Sequence, residues 1–540
     1  MRWWGWGTDA HAIELPPAAG ELLAAELGID PAARAERVEL EDVRLPASAL
    51  GGPARDALAA VAGLDAVDDG HAARVAHAAG RSYPDLLRLR SGALEHAPDA
   101  VVTPSSRAQL APLLAECARH GVAVVPFGGG TSVVGGVEAL RGAHRAAIAL
   151  DLRGLDALVD VDPVSLTATA EAGLLGPELE RRLAARGVTL GHFPQSFEHS
   201  TVGGWVATRS AGQASSGYGR IDELVEAVAA VTPAGALETL DVPATAAGPA
   251  LRELVVGSEG VLGVIAEATL RVRPLPSERR YEGWSLPGFA AGAEALRALA
   301  QAGALPDVAR LSDEDETRLT MALGSTGGVG ERIGRGYLSL RGRSGGCLAF
   351  TGFEGTRDEV ARRRGRAAAI LRAHGAVALG QRPGRSWLRG RFAAPYLRDA
   401  LLDRAVMVDT LETATTWANL QALYAAVGDA LRAALRERGT APAVMCHVSH
   451  VYRSGASLYF TFIAAQERGA ELDQWRAAKR AATDAIVAAG GTITHHHAVG
   501  ADHRDWLPAE IGPLGIELLR AAKDRLDPAG IMNPGKLLPG

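Results

Sequence analysis

Three adjacent histidines, His495, His496 and His497, stand within Thr494-His-His-His-Ala-Val-Gly500. Imidazole gains and loses a proton near neutral pH and is a common nitrogen ligand for metals. Three in a row can be a proton relay, a metal-binding tract or a surface accident. On a regular strand His495 and His497 share one face and His496 takes the other, so the three do not converge on one ion. We therefore expect no metal. The tract follows an apolar helix and the turn Gly490-Gly491, so it enters ordered structure, which favours a catalytic role.

A second concentration of chemistry lies in glycine. The runs are Pro126-Phe-Gly-Gly-Gly-Thr-Ser-Val-Val-Gly-Gly136, Gly191-His-Phe-Pro-Gln-Ser-Phe-Glu-His-Ser-Thr-Val-Gly-Gly-Trp205 and Gly257-Ser-Glu-Gly-Val-Leu-Gly263. Each abuts an apolar, strand-like stretch. Without Cβ atoms, such turns let the backbone approach a bulky ligand, and successive N–H groups form nests for anionic oxygens. Thr131 and Ser132 add hydroxyl donors, and Ser200, Thr201 and Ser258 repeat the arrangement.

The elements that must position these groups follow from periodicity. Leu110, Leu113, Leu114 and Cys117 recur at helical spacing, with Ser105 as the expected N-cap and Gly121 as the stop. Val122–Pro126 reads as a strand running into the first glycine loop. Pro177 opens a second helix, and Leu270 and Val272 alternate with Arg271 and Arg273 in a half-buried strand. Further on come helices over 288–303, 357–375, 420–439 and 471–489, and strands over 443–450 and 457–464. The fold class is α+β. A helical extension is expected over 1–95, a ligand-binding unit of two subdomains over 96–275, an α+β substrate (cap) domain over 276–500, and a tail over 501–540 that returns to the second unit.

Composition excludes several classes. A net charge of −6 offers no basic face for nucleic acid, and Lys479, Lys523 and Lys536 are the only lysines among 56 basic residues. Cys117, Cys347 and Cys446 are too few and scattered for a disulfide framework or a zinc pattern. No apolar run approaches the roughly 18 residues of a membrane span, and no leader opens the chain. The expectation is a soluble bacterial cytoplasmic protein that meets a membrane only peripherally. The glycine-rich stretch 322–346 reads as a surface loop. Its Arg332, Arg335, Arg341 and Arg343 either meet anionic headgroups or are simply solvated.

The three glycine turns, in this order, resemble the FAD-binding domain of the vanillyl-alcohol-oxidase (PCMH-type) flavoprotein family. That resemblance implies FAD, with Pro126, Gly128, Gly129, Gly130, Thr131 and Ser132 at the pyrophosphate. Gln195, Ser196, Ser200, Thr201, Gly203 and Gly204 would run along the flavin, and Glu259, Gly260 and Ile265 would complete the cradle. Thr131-Ser132 stands where some relatives carry a histidine that bonds the flavin, so noncovalent FAD is implied. Gln195 replaces a frequent aspartate.

The chain further resembles the alkyldihydroxyacetonephosphate synthase (alkylglycerone-phosphate synthase) family. The opening Arg2-Trp-Trp-Gly-Trp-Gly7 and the triple histidine carry that likeness, with Ser200-Thr-Val-Gly-Gly-Trp-Val206, Val231-Thr-Pro-Ala-Gly235 and Ser457-Leu-Tyr-Phe-Thr-Phe462. The family exchanges the acyl chain of acyl-dihydroxyacetone phosphate for a fatty alcohol through a redox-neutral adduct at flavin N5, and tends to dimerise. By resemblance Tyr459 is the catalytic base, its phenol pulled down by cationic neighbours, and His496 assists proton transfer with His495 and His497 beside it. Arg398 binds the substrate phosphate, Arg310 is a second active-site arginine, and Thr410 replaces a serine. Alone, Tyr459 would read as a packed strand aromatic and Arg398 as half of an exposed ion pair.

The rival is an FAD-linked D-2-hydroxy-acid dehydrogenase. Such enzymes carry a metal-supporting His-x-Gly-Asp-Gly-Asn-x-His pattern. Here the corresponding stretch is Tyr452-Arg-Ser-Gly-Ala-Ser-Leu-Tyr459, with tyrosines for both histidines and no carboxylate, although His447 and His450 lie nearby.

Overall fold

Ala146–Asp151 is buried at all six positions, as befits a strand covered on both faces. It lies between Ala100–Val102 and Val122–Phe127, parallel to both, and Val67–Asp68 closes one edge antiparallel. The crossover helix Leu110–His120 buries Leu110, Leu113, Leu114 and Cys117 and stops at Gly121, whose φ of 64° suits a residue without Cβ. Ser105 does not cap it. A 3-10 turn, Arg107–Gln109, intervenes, and the Ser105 N–H donates to the Gln109 side chain at 2.8 Å.

A second, antiparallel sheet orders Leu158–Asp162, Thr167–Glu171, Val264–Arg271, Val225–Thr232 and Gly235–Glu238. Its inner face shares one apolar core with the first sheet. Leu270 and Val272 face inward while Arg271 and Arg273 are exposed. The closing residues join the first sheet at Val122–Phe127: Val124 N–H donates to Ile531 O and Asn533 N–H to Val124 O, both at 2.8 Å.

The third sheet is antiparallel throughout, ordered Val377–Gly380, Glu278–Leu286, Cys347–Gly355, Val308–Ser312, Ala443–Val451, Gly455–Ala465, Val406–Thr416. Period-two alternation divides its side chains. Val444, Cys446, Val448, Leu458, Phe460 and Phe462 enter a core with the helices Phe289–Gln301, Leu420–Glu437 and Glu471–Ala488. Met445, His447, Ser449, Tyr459, Thr461 and Ile463 face the opposite way, into a cavity.

Residues 1–95 are not a separate extension. Leu58 and Val67 pack into the core of the first two sheets, Tyr83 and Leu86 into that of the third. The helix Pro17–Leu27 lies against Val406–Thr416 through Leu23 and Leu27. Val43, Val75, Ala78, Ala79, Leu89 and Leu94 form a small cluster of their own, and other apolar side chains of this stretch join the neighbouring cores. The computed structural model describes residues 1–15, 17–30, 32–323 and 345–539. The loop expected over 322–346, with its four arginines, lies outside the described residues except at its ends. Among the described residues, no helix is long and apolar enough to cross a membrane.

Candidate active site

A cavity of about 550 Å³ separates the glycine loops from the open face of the third sheet. Every site residue read from the sequence lines it except His495. Close backbone packing shapes one wall. A Cβ on Gly129 would lie 1.8 Å from the His199 carbonyl oxygen, and one on Gly128 would lie 2.3 Å from Thr201 Oγ1. The loops therefore back onto each other. Among the described residues, the N–H groups of Gly129, Gly130, Thr131 and Ser132 donate to no protein acceptor, so this nest has donors to spare for an anion. Ser200 Oγ accepts from Trp205 Nε1 at 2.7 Å. Gln195 spans to Gln213 and to the Arg391 carbonyl, at 3.2 and 2.9 Å. The Glu259 carboxylate is occupied by Val499 and Gly500 N–H, at 2.8 and 2.7 Å. Burial pushes its pKa up to about 7 against those two donors.

Tyr459 stands in a cross-strand row, with His447 as its partner on one side and Glu412 on the other. Its ring stacks on His447 at 4.8 Å and lies 5.9 Å from His496 and 5.5 Å from His497. Here one sequence expectation fails. Burial pushes the phenol up to about 12, and the pull of Thr410 and Arg398 does not reverse it. Arg398 is the cation whose pull it feels, and the imidazoles around it are uncharged. Burial also lowers His447, His496 and His497, the last to about 3, so these imidazoles are neutral at pH 7.

The triple histidine is not a strand either. Residues 495–497 form a bend with no ladder partner, wrapped around the buried carboxylate of Glu412. The N–H groups of His495, His496 and His497 all donate to it, the last two at 3.1 and 2.8 Å, and Thr494 Oγ1 adds a fourth bond at 2.7 Å. Burial alone would raise Glu412. The imidazoles and N–H donors outweigh it and hold the carboxylate well below its ordinary range. Because the bend curls, His495 and His496 come together, Nδ1 to Nδ1 at 3.1 Å. With His450 they form a group whose ligand atoms lie within 4.8 Å of one another. Regular-strand geometry is therefore no argument against shared ligation. His495 itself sits behind the wall, Nε2 bonded to Tyr452 Oη at 2.6 Å, and His450 Nδ1 is bonded to Ser215 Oγ at 2.6 Å.

The arginines differ. Arg310 is spoken for by Glu316 at 2.6 Å and His447 at 3.1 Å. Arg398 gives one donor to the Arg81 carbonyl at 2.7 Å, while its Nε and Nη2 are buried without a partner. It is no exposed ion pair: neighbouring Asp399 instead accepts from Trp6 N–H at 2.5 Å.

Comparison with known proteins agrees with this geometry. Residues 98–241 match the FAD binding domain family, and 275–537 match the C-terminal domain of FAD linked oxidases. The chain is 36% identical to the alkyldihydroxyacetonephosphate synthase of Dictyostelium discoideum, covering 88% of this chain and 79% of the relative. It is 35% identical to that of Trypanosoma brucei brucei, covering 92% and 82%. A solved alkyldihydroxyacetonephosphate synthase superposes with a TM-score of 0.86 at 30% identity, covering 99% of this chain and 98% of the other. The chain belongs to the alkyldihydroxyacetonephosphate synthase family.

As a member of that family it is an FAD enzyme, and the spare donors of the 129–132 nest suit a pyrophosphate. Several residues around the site escaped the sequence. Glu412 in Leu411-Glu-Thr413 and Glu316 on a helix resemble ordinary outward polar groups, since their partners lie far along the chain. Tyr452 was weighed only as a lost metal ligand, and His450 only as a remaining candidate one. Trp6 and the helix Pro17–Leu27 line the cavity, and nothing in their local spacing signals that.

Proposed function

We propose that this enzyme replaces the acyl chain of an acyl-dihydroxyacetone phosphate with a fatty alcohol, giving the ether-linked alkyl-dihydroxyacetone phosphate. The observation carrying this reading is the company Tyr459 keeps. Its phenol, the neutral imidazoles, a guanidinium with unspent donors and an apolar arm share one cavity. Leu22, Leu23, Leu27, Leu319, Val408 and Ile463 supply that arm, which suits a hydrocarbon chain.

Arg398 binds the phosphate, its planar fork matching two oxyanion oxygens. Arg310, already balanced by Glu316, orients His447 and the carbonyl region. When bound, FAD supplies a nucleophilic ring nitrogen beside the reacting carbon. At that carbon the fatty carboxylate departs with the bonding electrons, and the alcohol oxygen forms the new bond as its hydroxyl loses its proton. Tyr459 holds the proton at its phenolic oxygen, and His496 and His497, uncharged at pH 7, accept one as the exchange proceeds. Burial excludes water, which would otherwise intercept the carbon in place of the alcohol.

The test mixes holoenzyme with palmitoyl-dihydroxyacetone phosphate and labelled hexadecanol under anaerobic conditions. Labelled ether product with no lasting flavin bleaching is expected. Absence of product, with bleaching by a D-2-hydroxy acid, would transfer the chain to the dehydrogenases.

A further inference from the structure

The proton-accepting histidines sit on a bend with no strand ladder, so something else must fix them. We propose that Glu412 is the positioning residue of the active site. It anchors the histidine bend through its backbone and balances the imidazolium that forms during turnover. The inference rests on the proposed proton transfer between Tyr459 and the histidines.

The geometry carries it in three steps. First, Glu412 lies on the strand Val406–Thr416 directly opposite Tyr459 on Gly455–Ala465. The sheet therefore fixes carboxylate and phenol relative to each other. Second, three successive N–H groups, from His495, His496 and His497, converge on the one carboxylate. A run of adjacent amides on one anion is a nest, and here its anion is a side chain of the same protein. Seating the backbone this way spares the imidazoles of His496 and His497 that task, while His495 adds a side-chain bond to Tyr452 at 2.6 Å. Third, His496 Nδ1 and His497 Nδ1 each lie 3.7 Å from a Glu412 oxygen. That is too long for a hydrogen bond but close enough for a buried negative charge to favour their protonated forms.

The surroundings exclude a simpler reading. Glu412 is about 1% exposed, and no lysine or arginine pairs with it among the described residues. A buried carboxylate without a paired cation is costly, and the bend's donors and imidazoles offset that cost. His447 is held by Glu316 on the other side of Tyr459, Nδ1 to Oε1 at 3.1 Å. The phenol thus stands between two histidine–glutamate pairs, and only the Glu412 pair is built on backbone amides.

Glu412→Gln preserves size and removes the charge. The expected result is normal FAD content and a near-normal KM for the acyl substrate. kcat should fall about 10²-fold, within the usual range for a proton-transfer group. The acidic limb of the kcat–pH profile should move to lower pH, because the histidines lose the anion that raises their pKa. A purely structural role would change stability and KM and leave that limb in place. Thr494→Val, which removes one donor from the carboxylate and no imidazole, should cost a few-fold in kcat alone.

Hydrogen exchange of the holoenzyme over 491–500 gives a readout independent of activity. Amides 495–497 should be protected in the parent and exchange faster in Glu412→Gln. Equal exchange in both, or parental kcat and pH profile in Glu412→Gln, overturns the proposal. Slower exchange in the parent with no ether product from it would leave the anchor standing and remove the synthase reading instead.

Discussion

A phenol buried among neutral imidazoles behaves differently from one beside cations. Tyr459, pushed up to about 12, enters the reaction protonated at neutral pH and gives up its proton only to a partner already in place. Replacing it with phenylalanine keeps the ring stacked on His447 at 4.8 Å and deletes the one oxygen that matters. Ether product should fall by about 10³-fold, within the range for general acid–base groups, while flavin absorbance per protein stays at the parental value. A Tyr459→Phe enzyme that forms product at the parental rate would remove Tyr459 from the chemistry. At this scale the sequence was informative about identity and uninformative about partners. Tyr459, Arg398 and the histidines were recognisable because their motifs are local. Glu412, which seats the bend, lies 83 residues from its nearest amide partner, and no spacing rule connects them. The expected depression of the phenol failed for the same reason: burial is a tertiary quantity, and it raised the phenol and left the surrounding imidazoles neutral.

Among elements, the loops decide more than the strands. The strands over 443–451 and 455–465 were legible from alternation, and the helix at Leu110–His120 from its apolar stripe. Strand alternation does not describe the triple histidine, because alternation presupposes a ladder partner, and this bend has none. Glycine loops are legible in a different sense: their composition reveals the demand for close approach without saying what approaches. The structure supplies part of the answer at Gly129, whose Cβ position lies 1.8 Å from the backbone oxygen of His199. No side-chain rotation relieves a clash with backbone. Gly129→Ala must therefore separate the two loops and spoil the nest at 129–132. Purified Gly129→Ala should retain its secondary structure by circular dichroism and carry well under half the parental FAD. A fully loaded, yellow variant would show that the loops can part without cost to the cofactor.

Burial of so many ionisable groups around one cavity shapes the behaviour of the whole molecule. His192, His199, His447, His450, His495, His496, His497 and His503 are all held below the ordinary histidine value by burial. Where values can be given they lie near 3 or 4. Between those values and about 6.5 the unfolded chain binds protons that the native state refuses, so stability is lost as pH falls through this window. Glu180, Glu259, Asp313, Asp399 and Asp502 are shifted up by burial and act oppositely. Their contribution is complete near pH 4 and is lost as pH rises, toward about 7 for Glu259, Asp313 and Asp502. Eight groups outweigh five below pH 6.5, whereas near pH 7 the two sets roughly cancel. The melting temperature of the holoenzyme should therefore peak near pH 7 and fall steadily from pH 6.5 to 4.5. Turnover of the protein that stays folded should outlast the early part of that fall, because the destabilising proton binds the unfolded chain while the native imidazoles stay neutral, His497 down to about 3. Scanning calorimetry beside a pH–rate profile checks both. A melting temperature that stays level or rises from pH 6.5 to 4.5 would mean the cavity imidazoles are charged in the native state, and a charged imidazole cannot accept the proton of Tyr459.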